Sequence, residues 1–267
     1  MRILISFVFV FLVSIQSFAQ QKEGWNLVFH DEFDSTKLDY SKWMDEFPWG
    51  RHVCSTRDYS YCTAGKNTSF SSGNLIMITK NESVTEKAVW YEQDDKILCD
   101  NKPNYRTFSY TTAMLYSKQE FLHGYFEVRC KISKGKGLWP AFWLYGSDAD
   151  EIDIFEMFGT HKGKLNTNIH YKLPQKSHEK IVNFKNKNIF SAQFNIIAAE
   201  WSPDKIIWLF NGDTIAIAEH NFSKPMHIIA GMGVYEKVDK QNKKKAKKVF
   251  PATYEIDYIR VYQRKEK

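Results

Sequence analysis

The chain holds only four cysteines, and no two of them form a Cys-x-x-Cys pair, so a thiolate zinc ribbon or finger is excluded. No repeat of fixed period runs through it, which rules out a solenoid or propeller. No proline- or serine-rich linker divides it, so 267 residues read as a single large domain. No recognised nucleic-acid motif is present. The longest apolar run, Ile3 to Ile15, is about 13 residues, short of the ~20 that a membrane-spanning helix needs. Helical periodicity is scarce throughout.

That apolar run has another reading. It follows a short basic start, Met1-Arg2, and precedes Ser17-Phe18-Ala19, small residues of the kind read by a signal peptidase. We expect residues 1–19 to be a signal peptide and residues 20–267 the mature domain, secreted or periplasmic, with no stable membrane insertion. No cysteine follows Ala19, so lipid attachment there is not supported. Export permits disulfides. Cys54 and Cys62 flank a short polar loop and are the preferred pair, with Cys62–Cys99 as the alternative. Cys130 alternates with Phe126, Val128 and Ile132 and reads as a core position.

Aromatic residues make up 16% of the chain, including 8 Trp and 14 Tyr. Flat rings with polar tips suit a sugar-binding groove as well as a core. The net charge is +6, much of it in lysines of the stretch 237–248. A solvated loop accounts for that stretch, and attraction to an acidic polymer is the sharper alternative.

The remaining pattern is strand after strand. Asn74–Thr79 is β-rich, Gly124–Ile132 alternates cleanly between apolar and polar, and Leu138–Tyr145 is apolar throughout. Phe194–Trp201, Lys205–Phe210 and Thr214–Glu219 form a meander, with a hairpin turn at Asn211-Gly212-Asp213. Thr253–Gln263 closes the chain. Many short strands separated by turns define an all-β sandwich or barrel.

One strand carries chemistry. In Glu151-Ile152-Asp153-Ile154-Phe155-Glu156, three acids sit among apolar residues. Alternation places Glu151 and Asp153 on one face and would bury Glu156. A lone buried carboxylate is costly. One extra residue, a bulge near Phe155, returns Glu156 to the acidic face. Three like charges in a row destabilise a strand unless they serve something. Glycoside hydrolysis is one use, because it needs an ionised carboxylate and a protonated carboxyl across the scissile bond. A calcium site and a merely solvated strand are the others. For catalysis the sheet must be concave. Backbones five residues apart lie over ~13 Å from each other, whereas a retaining pair of carboxyls sits about 5 to 5.5 Å apart.

These residues resemble glycoside hydrolase family 16. The likeness rests on E-I-D-I-F-E as a bulged E-x-D-x-x-E motif, on Gly137-Leu-Trp139-Pro-Ala-Phe-Trp143 one strand upstream, and on Tyr125-Phe-Glu-Val-Arg129 before that. It extends to Trp25-Asn-Leu-Val-Phe-His-Asp31-Glu-Phe33, Glu200-Trp-Ser-Pro-Asp204 and Ile256-Asp-Tyr-Ile-Arg-Val-Tyr262, nearly the whole mature chain.

The resemblance implies a jelly-roll β-sandwich of two curved antiparallel sheets with a concave cleft, acting as a retaining endo-glycanase on a β-linked polysaccharide. By position, Glu151 is the nucleophile, Glu156 the acid/base and Asp153 the assisting carboxylate. Trp139 and Trp143 share a face and would stack on sugar, with a core role as the alternative. His170 would bind substrate or a catalytic carboxylate. Catalysis requires no cofactor. Some members hold a structural calcium, to which Glu32 and Asp257 would contribute. β-1,3- or mixed β-1,3;1,4-glucan comes first among substrates, ahead of β-galactans and host β-galactosides. A lectin on the same fold is the non-enzymatic alternative, and the chain is expected to be a monomer. Phe47–Arg51, the Cys54–Cys62 loop and Tyr59–Tyr61 depart from the common laminarinase pattern and would line the cleft.

Overall fold

The computed structural model describes residues 22–52, 58–88, 105–147, 149–157, 163–172, 176–186, 189, 193–235 and 249–266. The expected leader, Cys54, Cys99 and the lysine stretch lie outside the described residues. Among those described, nineteen strands occur and no helix.

In chain order the strands begin with β1 (Trp25–Asp31), β2 (Trp43–Met44), β3 (Ser60–Cys62), β4 (Thr68–Ser71), β5 (Asn74–Thr79) and β6 (Val84–Glu86). There follow β7 (Arg106–Phe108), β8 (Tyr110–Thr112), β9 (Met114–Phe121), β10 (Gly124–Ile132), β11 (Leu138–Gly146), β12 (Glu151–Glu156) and β13 (Lys164–Lys172). The last are β14 (Lys176–Lys185), β15 (Asn195–Trp201), β16 (Lys205–Phe210), β17 (Asp213–Glu219), β18 (Met226–Val234) and β19 (Ala252–Arg264).

Two large antiparallel sheets form the expected sandwich. One runs β17-β16-β15-β10-β19-β5-β4, with β1 also paired to β19; the other runs β14-β13-β12-β11-β18-β9-β2. Two short ladders, β3–β8 and β6–β7, lie outside them. The β16–β17 hairpin turns on Asn211 and Gly212, both at positive φ (51° and 91°). This is the backbone that a two-residue turn needs in order to match strand twist, and that Asn-Gly supplies.

The core fills the space between the sheets. Alternation puts Phe126, Val128, Cys130 and Ile132 of β10 into it, with Trp201 and Trp208 from neighbouring strands and Phe142, Ile152, Ile154 and Phe155 from the opposite sheet. Burying each such side chain contributes roughly 1.5–3 kcal/mol. The aromatic excess therefore divides. Trp43, Trp201 and Trp208 are core residues, while Trp139 and Trp143 are partly exposed on the outer face of β11.

Cys62 and Cys130 are both buried free thiols. Cys130 is the core position expected. Cys62 packs beside Met114, Tyr116 and Ile229 as an apolar residue, and the partners expected for it, Cys54 and Cys99, lie outside the described residues.

Candidate active site

Strand β11 alternates without interruption. Leu138, Pro140, Phe142 and Leu144 are buried, and Trp139, Ala141, Trp143 and Tyr145 face outward. Its neighbour β12 breaks that rule once. Asp153 pairs with Trp143 and Phe155 with Phe142, so Ile154 is the extra residue of a bulge. Ile154 and Phe155 both turn into the core, at 0% exposure, and Glu156 comes back to the face of Glu151 and Asp153. The bulge also aims the Asp153 carbonyl inward, where the indole of Trp208, from the other sheet, donates to it at 2.9 Å.

The three acids open into one cleft of about 240 Å³. Strand β13 supplies their partners. Asn168 Nδ2 donates to Asp153 Oδ2 at 2.8 Å and to Glu156 Oε1 at 2.9 Å. His170 Nε2 lies 3.2 Å from Asp153 Oδ2 and 3.9 Å from Glu151 Oε1. Trp139 Nε1 donates to Glu156 Oε2 at 3.0 Å. A continuous polar chain therefore runs Glu151–His170–Asp153–Asn168–Glu156, with Asp153 central and only 4% exposed.

The indole edge of Trp139 fixes one oxygen of Glu156. Asn168 was missed by sequence reasoning. Its signal was the period of two in Asn166, Asn168 and His170, polar residues on one face of a strand. Glu151, Asp153 and His170 also bring one ligand atom each within 4.8 Å of one another, so they could hold a metal ion.

The acids expected to bind calcium do not fit that role. Both oxygens of Glu32 accept from Arg260, at 2.9 and 2.7 Å, and Asp257 is ion-paired with Arg129. A cation there would have to displace a guanidinium from each, and like charge opposes it.

Phe47, Arg51, His52, Asp58, Ser60 and Cys62 line the cleft, in the segments that depart from the laminarinase pattern, while residues 53–57 of the Cys54–Cys62 loop lie outside the described residues. Phe47 and Trp49 stack with centroids 5.0 Å apart, and Trp49 meets Tyr145 edge-on at 5.8 Å. Arg51 ties this loop to Asp45 and Glu46. Beneath it, burial and the neighbouring Arg106 guanidinium hold the His52 imidazole down to about 3. His52 is therefore neutral. Its Nδ1–H donates to the Ser60 carbonyl at 3.2 Å and its Nε2 accepts from Arg106 at 3.1 Å. Burial pushes the Asp58 carboxyl up, against hydrogen bonds from Ser60 and Val234 that pull it down.

A two-sheet β-sandwich with acids converging on a tryptophan-lined cleft defines a glycosidase, an enzyme that hydrolyses the bonds between sugars. The family model for glycosyl hydrolases family 16 matches residues 56–260, and the chain belongs to that family. It is 26% identical to glucan endo-1,3-beta-glucosidase A1 of Niallia circulans, over 90% of this chain but 38% of that protein. It is also 26% identical to the beta-glucanase of Rhodothermus marinus, over 90% of this chain and 85% of that one. Among solved structures it resembles the endo-beta-1,3-glucanase of Pyrococcus furiosus, with a TM-score of 0.70 and 26% identity, covering 91% of this chain and 96% of that one.

Proposed function

We propose that the chain is an exported, monomeric, retaining endo-hydrolase of a β-linked polysaccharide, with β-1,3- or mixed β-1,3;1,4-glucan as its substrate. The observation that carries this is the convergence of Glu151, Asp153 and Glu156 on one cleft, with Asp153 and Glu156 joined through Asn168, and His170 between Glu151 and Asp153. The names of the similar glucanases support the glucan. The leader-like start of the sequence supports export.

Glu151 is the nucleophile. It attacks the anomeric carbon while Glu156 gives its proton to the departing glycosidic oxygen, which leaves a glycosyl-enzyme. Glu156, now ionised, takes a proton from water as that water attacks the same carbon and frees Glu151. The N–H groups of Trp139 and Asn168, one on each oxygen, suit the ionised form. When Glu156 carries the proton, one oxygen must turn to the sugar and the other keeps its donor. Asp153, between the two, receives Asn168 and His170 and holds both in place.

The test is Glu151→Gln. Hydrolysis of laminarin and lichenan, read as released reducing ends, should be abolished. Glu156→Ala should lose turnover and recover part of it with azide. A Glu151→Gln variant that still cuts at the wild-type rate would defeat the assignment.

A further inference from the structure

The floor of the cleft beside Trp139 is bare backbone. On β18, Gly233 pairs with Trp139 and Gly231 with Ala141, so two glycines face the cavity where side chains would otherwise stand. The space over Gly233 is taken by a residue from a distant part of the chain. A methyl group added to Gly233 would sit 2.6 Å from Asp58 Oδ2 and 3.0 Å from Asp58 Cγ, so the carboxyl lies flat against this glycine.

One oxygen of Asp58 is fully engaged. Oδ1 accepts from the Ser60 amide at 2.9 Å, the Ser60 hydroxyl at 2.6 Å and the Val234 amide at 2.9 Å. Ser60 is itself fixed through its carbonyl by His52, and His52 by Arg106. Every hydrogen bond that the described residues give this carboxyl goes to Oδ1. Asp58 is half-buried and lines the cleft. Such a network holds a side chain in one orientation before any ligand arrives, which is how a binding group gains affinity without an ordering cost.

Position gives the role. Trp139 separates the two carboxyls: Glu156 belongs to β12 on one side of β11, and Gly233 to β18 on the other. Glu156 is level with Ala141 and Gly231, and Gly233 is two residues further along β18. With strands about 4.8 Å apart and a rise of about 3.3 Å per residue, the glycine under Asp58 lies roughly 12 Å from the backbone of Glu156, within reach of the sugar next to the scissile bond. We propose that Asp58 is a substrate-binding, specificity-determining residue, whose Oδ2 receives a hydroxyl hydrogen from that neighbouring sugar and so selects a sugar with a free hydroxyl there. An O-sulfated sugar has no hydrogen to give at that point and would press its own oxygens against the carboxyl. This rests on the reading of the cleft as a polysaccharide groove and narrows it to neutral polymers. Gly233 is the enabling residue, since any side chain there would evict Asp58.

The experiment measures kcat/KM on laminarin, agarose and sulfated porphyran for wild type, Asp58→Ala, Asp58→Asn, Gly233→Ala and the Asp58→Ala/Gly233→Ala double variant, with thermal unfolding as a folding control. Asp58→Ala should lower kcat/KM on the neutral polymer by about ten- to a hundredfold, chiefly through KM. Asp58→Asn, which keeps an acceptor for Ser60 and Val234, should fall in the same direction and carries the test if the alanine variant does not fold. Gly233→Ala should be as damaging alone and harmless when added to Asp58→Ala, because its effect passes through Asp58. Asn and Ala variants within about twofold of wild type, additive losses in the double variant, or a wild type that prefers porphyran would each overturn the proposal. A wild type that cuts agarose and not laminarin overturns the glucan reading while leaving Asp58 to stand on its variants. One that cuts none of the three overturns both.

Discussion

The indole nitrogen of Trp208 donates 2.9 Å across the sandwich to the backbone carbonyl of Asp153, so the bulge that shapes the catalytic strand is braced from the opposite sheet. Both groups are buried, and nothing in the core would replace the bond. Trp208→Phe keeps the ring in place and removes the donor. It should cost about 1–3 kcal/mol of stability, the price of an unsatisfied buried carbonyl. It should also lower kcat more than it changes KM, because the strain falls on Asp153 and Glu156. Denaturant unfolding with parallel kinetics checks this, and unchanged stability would show that the carbonyl finds another partner.

Trp139 combines a ring face with an N–H on Glu156 Oε2. Two variants separate them. Trp139→Phe should retain KM within a few-fold and lose kcat, because Glu156 loses a donor that orients it. Trp139→Ala should raise KM as well, by the loss of a stacking surface. Equal effects of the two on both constants would leave the hydrogen bond without a catalytic part.

His52 is depressed from 6.5 to about 3 by burial and by Arg106. The unfolded chain therefore takes up this proton at a higher pH than the native one. The stability that His52 contributes is complete above pH 6.5 and is lost as pH falls towards 3. Unfolding midpoints of wild type and His52→Gln, compared from neutral pH downward, should converge as the solution becomes acid. A constant or widening difference would mean that His52 is not held neutral.

Glu32 and Asp257 are committed to Arg260 and Arg129. Prolonged treatment with EDTA should leave the thermal midpoint and the hydrolytic rate unchanged, and added calcium should raise neither. A loss that calcium restores would place a cation elsewhere in the molecule.

Much of the sandwich was legible because period-two alternation states which face is buried. The bounds of β10 came directly from it, those of β5 from a β-rich run, and those of β16 from the hairpin turn that follows it. The need for a bulge also came from the alternation, which applied strictly would have buried Glu156. Strands β9 and β18 gave no such pattern. Four consecutive residues of β9, Met114 to Ser117, are buried, and the outward positions of β18 include two glycines facing the cleft. The partners of the site were hidden for a different reason. Val234 reaches Asp58 across 176 positions, Glu32 meets Arg260 across 228, and Asp257 meets Arg129 across 128. A carboxylate read without its distant arginine looks available for a metal. Asn168 was obscured by its type, because a polar residue on a strand ordinarily points to water.

The unpaired Ile154 is one residue more than plain alternation needs to keep the three acids on one face. A gene losing that one codon would still encode Glu151, Asp153 and Glu156, and every side chain that touches them. The ladder would close into plain alternation, Glu-Ile-Asp-Phe-Glu, with all three acids still on one face; what would go is the inward turn of the Asp153 carbonyl that Trp208 holds. The extra residue therefore sets the local bend of the strand and its brace to the opposite sheet, and does not decide which face the acids take.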